Sequence, residues 1–167
     1  MSNQTNPQGT EYPSLNLAFE MTKEQLSYQP SIVDALDSKA NFTLSSATVL
    51  TIAATVFRGT FFAQMNSALT DVIELVLLVL YAIILFCSYQ AYCLRPYTSV
   101  PHPAKFEKYL RENEEYTKGV LYSTMVDAFE KNEGTINKKS KWATLAMSGL
   151  IIEGAITALT TLLQVWR

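Results

Sequence analysis

The segment LVLLVLYAIILFCSYQAYCL, residues 75 to 94, carries no charge along its whole length. A run of about twenty apolar positions matches roughly 30 Å of hydrocarbon, so the pattern predicts a membrane helix. Two further apolar segments each carry one ionisable group. NFTLSSATVLTIAATVF, residues 41 to 57, continues through Arg58 to about Gln64, and WATLAMSGLIIEGAITALTTLLQVW, residues 142 to 166, is interrupted only by Glu153. The expectation is an all-α membrane protein with three transmembrane helices and a helical cytoplasmic portion. No stretch shows the period of two that marks a strand, and no internal repeat is visible.

The polar stretches divide the rest. Residues 1 to 14 read as a flexible polar tail, without the basic start and apolar core of a signal peptide. Residues 15 to 42 read as cytoplasmic amphipathic helices. Thr22 with Gln25 suggests a capping box, and Ser31 with Asp34 a second helix start just after Pro30. The second helix, SIVDALDSKA, would feed into the membrane with the Lys39 ammonium snorkelling into the headgroups. Residues 43 to 94 then form a transmembrane hairpin, 95 to 141 a cytoplasmic helical loop and 142 to 167 the third transmembrane helix. In the loop, Phe106, Leu110, Val120, Leu121, Thr124, Met125, Ala128 and Phe129 recur at helical spacing, with helix entry at His102 and Pro103. Gly119 is expected to divide this stretch into two helices and Gly134 to end it.

Composition sharpens the picture. Of the 167 residues 49% are hydrophobic and only 17% charged, and the net charge of -2 provides no field to draw in nucleic acid. The modest mean hydropathy of +0.09 is all that favours a soluble bundle. Basic residues set the orientation, because positive loops stay in the cytoplasm. Arg95, Lys105, Lys108, Arg111, Lys118, Lys131, Lys138, Lys139 and Lys141 all fall between residues 95 and 141, and none falls between 65 and 74. The expected location is a bacterial inner membrane, multi-pass, with the N-terminus cytoplasmic. Tyr92 and Trp142 would sit at the inner interface and Trp166 at the outer one.

Candidate chemistry is sparse. Cys87 and Cys93 fit neither a disulfide framework nor a zinc site, and His102 is the single histidine. With no nucleophile elbow and no glycine-rich phosphate loop, the chain reads as a non-enzyme without cofactor or metal. Glu107 with Arg111, Glu114 with Lys118 and Asp127 with Lys131 are acidic-then-basic pairs four residues apart, as on a solvated helix face. The alternative for Lys105, Lys108 and Arg111 is a cytoplasmic contact to a nucleotide signal, a lipid phosphate or a partner protein.

Two membrane segments carry polar stripes. Glu153 is in helical register with Ala146, Gly149, Thr157, Thr160 and Gln164, while Leu145, Leu150, Ile151, Ile156, Leu159 and Leu163 occupy the other faces. In the first segment Asn41, Thr48, Thr51, Thr55 and Arg58 share one side, with Ser45 beside them. Ionisable groups in hydrocarbon cost several kcal/mol, about 2.5–3.5 even on the lowest scales, and so turn toward a protein interior or water. The two stripes are therefore expected to face each other, either as an Arg58–Glu153 ion pair with threonine hydroxyls bonding across the helices, or as the lining of a hydrated path between subunits. Asp71 and Glu74 would sit at the outer mouth, Glu74 within reach of Arg58.

At VDALDSKANFTLSSATVL and MVDAFEKNEGTINKKSKWATLAMSGLIIE the chain resembles small bacterial membrane proteins of the SLATT and Pycsar transmembrane-effector type. The matching features are Leu36, Asp37, Lys39 and Ala40 before the first span, and Asn132 and Lys139 before the last. The resemblance implies a self-assembling inner-membrane effector, a regulated pore or membrane-disrupting protein in nucleotide-signalled anti-phage defence. Its implied partners are the lipid bilayer, further copies of itself, and a protein or nucleotide signal on the cytoplasmic side. These 167 residues leave no room for a separate cyclic-nucleotide-binding domain, so the signal would arrive through the cytoplasmic helices or another protein. The alternative is a non-transporting structural or accessory subunit of a larger membrane complex.

Overall fold

The computed structural model describes residues 14–56, 67–94 and 112–165. They form α1 (Leu15–Val56), α2 (Ser67–Cys93) and α3 (Glu114–Val165), with no strand among the described residues. The fold is all-helical, and four expected boundaries are corrected. Helix α1 begins at Leu15 rather than at a Thr22 cap, with the Ala18 amide donating to the Ser14 carbonyl at 3.0 Å. It also runs through Pro30, where a break was expected. Helix α3 likewise continues through Gly119 and Gly134, neither of which has a positive φ.

Buried positions keep helical spacing along both helices. Along α1, Leu26, Gln29, Leu36, Ala40, Thr43, Ala47 and Ala54 are buried, with Val33 and Leu50 half-buried between them. Those positions alternate steps of three and four residues, the seam of helices wound together. An interior proline costs a helix roughly 3 kcal/mol, and α1 carries Pro30, itself exposed, between the buried Gln29 and the half-buried Val33. Gly119 and Gly134 cost only about 1 kcal/mol each relative to alanine, and α3 continues through both.

The chain divides into two compact units, one of residues 1–30 with 97–133 and the other of 31–96 with 134–167. In the first, Leu26, Met125 and Ala128 are buried with Gln29 and Asn132. The Gln29 amide uses both ends: Oε1 accepts from Asn132 Nδ2 at 2.9 Å and Nε2 donates to the Phe129 carbonyl at 3.3 Å. Lys118 donates to Asn16 Oδ1 at 3.1 Å and pairs with Glu114 at 2.6 Å, the pair expected from their spacing. Hydrogen bonding to Lys118, reinforced by its charge, holds the Glu114 carboxyl below the usual range. The Asn113 side chain caps α3 by accepting from the Glu115 amide at 3.2 Å.

In the second unit, α1, α2 and α3 pack as three helices around two small clusters. One joins Leu36, Ala40, Ala91 and Ala143; the other joins Ala47, Ile84, Cys87 and Ala146. From the first cluster to the second, the numbering rises on α1 and α3 and falls on α2. Thus α1 and α3 run parallel, with α2 antiparallel to both. Small residues allow the close approach: a Cβ on Gly149 would lie 2.8 Å from Ile84 Cγ1.

Among the described residues two helices, not the expected three, are long and apolar enough to cross a membrane: Ala68–Cys93 and Glu114–Leu162. The expected first span is described only to Val56, too short a stretch by itself. On α2 only 22% of the apolar window is covered by protein, whereas a soluble core helix would be mostly enclosed. Leu75, Leu78, Val79, Ile83 and Phe86 point their bulk outward.

Candidate functional site

The seam of the second unit is built from one face of α3. Ala146, Glu153 and Thr160 are buried there and Gly149 and Thr157 half-buried, while Leu145, Ile151, Ile152 and Leu159 are exposed. Alanine and glycine let α1 and α2 come close, so Glu153 projects between helices. It is 1% exposed.

Its partner comes from α1. Thr51 donates its hydroxyl to Glu153 Oε1 at 2.7 Å, and Glu153 Oε2 is buried with no hydrogen-bond partner among the described residues. A carboxylate offers about four acceptor sites, so one donor leaves most of them unused. One turn away, Thr48 and Tyr81 of α2 lie 3.2 Å apart. Because the Thr48 proton goes to the Leu44 carbonyl at 2.8 Å, the Tyr81 phenol is the donor in that pair. Threonine and tyrosine thus form a short polar ladder through a layer otherwise filled by Ala47, Ile84 and Leu150.

The remaining stripe residues behave differently from the expectation. Thr55 is exposed and donates to the Thr51 carbonyl; Thr157 donates to the Glu153 carbonyl, and Thr160 to the carbonyls of Ile156 and Thr157. These hydroxyls satisfy themselves on their own helices, so cross-helix bonding falls to Thr48 and Thr51. Asn41 and Ser45 are also exposed. The buried face of α1 is centred instead on Thr43, Ala47 and Ala54, with Thr48 and Thr51 along its edge. Thr43, fully buried, donates to the Lys39 carbonyl at 2.8 Å and was not singled out in the sequence.

Arg58, Lys105, Lys108, Arg111 and the side chain of Gln164 lie outside the described residues, and with them the Arg58–Glu153 pair and the cytoplasmic phosphate contact. Asp71 is exposed and Glu74 half-buried. Cys87 and Cys93 are free thiols, the first buried and the second exposed. No group of three or more His, Cys, Asp or Glu able to hold a metal occurs among the described residues.

Sequence reasoning missed one ion pair. Lys139, counted there among the loop cations, is 1% exposed and its Nζ lies 2.6 Å from Asp37 Oδ1. In the structure Asp37 and Lys139 are separated by 102 residues, and so are Thr51 and Glu153. A constant offset is what parallel helices in fixed register produce. Asp37 and Lys139, with Leu36 and Ala40 buried beside them in the helix seam, are among the residues that carry the resemblance noted in the sequence. Exposed Lys39 is not part of that packing.

No protein-family model matches the chain, and no match is found among curated proteins or solved structures.

Proposed function

We propose that this protein is a self-assembling inner-membrane effector whose three-helix unit is closed at rest and permeabilises the bilayer when α1 separates from α3. The unit spans the membrane three times in this reading. The observation that carries it is the enclosed Thr51–Glu153 contact, set against large apolar side chains directed outward on α2 and α3. Polar groups hidden in one protomer while its perimeter suits lipid are what a silent membrane effector requires. Parting the helices would expose Glu153, Thr51 and Thr48 together as a polar strip, and assembled copies would pool such strips into a hydrated path. The cytoplasmic segments, including Lys105, Lys108 and Arg111, would receive the trigger, whether a partner protein or a nucleotide signal, as the resemblance to SLATT and Pycsar effectors implies.

Release of an entrapped dye from liposomes tests this reading. Lys139→Met, which unpairs α1 from α3, is expected to leak faster than the wild type, and the wild type is expected to migrate as an oligomer in detergent. Vesicles that stay tight with both proteins, together with a monomer in detergent, would remove the effector reading. A second reading, a non-transporting accessory subunit of a larger membrane complex, draws on one feature: Glu153 meets Thr51 inside a single chain, so the contact needs no second copy.

A further inference from the structure

We propose that Glu153 is a proton-binding site, occupied while the three-helix unit is packed and emptied when the seam opens. The geometry that leads there is the imbalance at its carboxyl group. Oε1 has one donor, the Thr51 hydroxyl at 2.7 Å, and Oε2 has none among the described residues, although the side chain is 1% exposed. An ionised carboxylate in that setting would be a buried charge with a single hydrogen bond. A neutral carboxyl fits better: Oε1 becomes the carbonyl that accepts from Thr51, and Oε2 carries the proton. One unpaired hydroxyl is a far smaller burden than one unpaired charge.

Among the described residues, no cation on the packed elements answers the charge. On α1 nothing titratable lies between Lys39 and Val56, and on α3 Glu153 is the sole titratable residue between Lys141 and Val165. On α2 the titratable residues are Asp71, Glu74, Tyr81, Cys87, Tyr89, Tyr92 and Cys93, none of them basic. Tyr81 is committed to Thr48. No group of three or more His, Cys, Asp or Glu able to share a metal cation includes Glu153 among the described residues. The proton needs one lone pair and no cage.

The proton is taken from bulk water when the seam closes and returned when it opens, so packing is linked to pH. Where the unpacked chain has released that proton and the packed chain holds it, stability falls as pH rises, by up to about tenfold in the packed-to-unpacked ratio per pH unit. The inference rests on the enclosed seam described above and not on permeabilisation, so the dye-release assay and the following measurement fail separately.

Infrared spectroscopy of the full chain in lipid bilayers reads the carbonyl stretch of protonated carboxyls. At neutral pH the band is expected in the wild type and in Glu74→Gln, and absent from Glu153→Gln. Thr51→Val, which removes the donor to Oε1, should move the band to higher frequency, and this readout stands even if Glu153→Gln fails to fold. A wild type lacking the band, a band that survives in Glu153→Gln, or one unmoved by Thr51→Val would overturn the proposal.

Discussion

Lys139 on α3 and Asp37 on α1 meet at 2.6 Å with unequal exposure, the lysine side chain 1% exposed and the aspartate 22%. The two partners are therefore not equivalent, because water can solvate Asp37 in part but cannot reach the ammonium.

The asymmetry predicts different costs for the two single substitutions. Asp37→Asn leaves a buried, unpaired ammonium and is expected to destabilise by about 3–5 kcal/mol. Lys139→Met fills the same space with apolar atoms and leaves an aspartate already open to water, for about 1–2 kcal/mol, below the range for stranding a buried charge. The double variant should recover most of the Asp37→Asn loss. Thermal unfolding in detergent checks all three, and equal losses for the two singles would contradict the exposure argument.

The glycines of α3 separate into two kinds. At Gly119 and Gly134 an added Cβ would meet nothing within 4 Å, so alanine there is expected to stabilise by about 0.5–1 kcal/mol through helix propensity. At Gly149 the Cβ would press on Ile84, itself fully buried, so alanine should cost about 1–3 kcal/mol. Opposite signs of the change in melting temperature are the expected result.

Two hydroxyl contacts in the seam also differ in weight. Tyr81→Phe removes the donor to Thr48, whose own proton is satisfied on α1, and should cost about 0.6 kcal/mol, the average for such bonds in membranes. Thr51→Val strips Glu153 of its one donor among the described residues and should cost about 1–3 kcal/mol. Unfolding measurements that reverse this order would show that the carboxyl group is held by something other than Thr51.

In the first unit the buried Asn132 amide donates to Oε1 of the buried Gln29. Gln29→Leu leaves the Asn132 amide without that partner and is expected to cost about 1–3 kcal/mol, whereas Gln29→Leu with Asn132→Leu should be close to neutral. Hydrogen exchange of amides between residues 120 and 132 reads the local effect.

Much of this arrangement was legible in the sequence, and the exceptions have physical reasons. The helix over 75–94 and the inward face around Glu153 followed from unbroken hydrophobicity and from one register of small and polar residues. The stripe assigned to α1 was rotated, because polarity was read as a sign of burial. Thr55 can face outward at little cost, since its hydroxyl bonds the Thr51 carbonyl, and alanines such as Ala47 and Ala54 mark the packed side instead. Pro30 and Gly134 suggested breaks, yet α1 and α3 continue through them. Lys139 looked like one loop cation among many, as no local pattern points to a partner 102 positions earlier. The parallel register of α1 and α3 links the two.

The most direct test of the account is magic-angle-spinning NMR of the protein in lipid bilayers, with carbon-13 in glutamate and threonine. A through-space correlation between the Glu153 carboxyl carbon and Thr51 Cβ, with no transfer from acyl-chain protons to that carboxyl, is the predicted result. Acyl-chain contact at Glu153, or no correlation with Thr51, would contradict it.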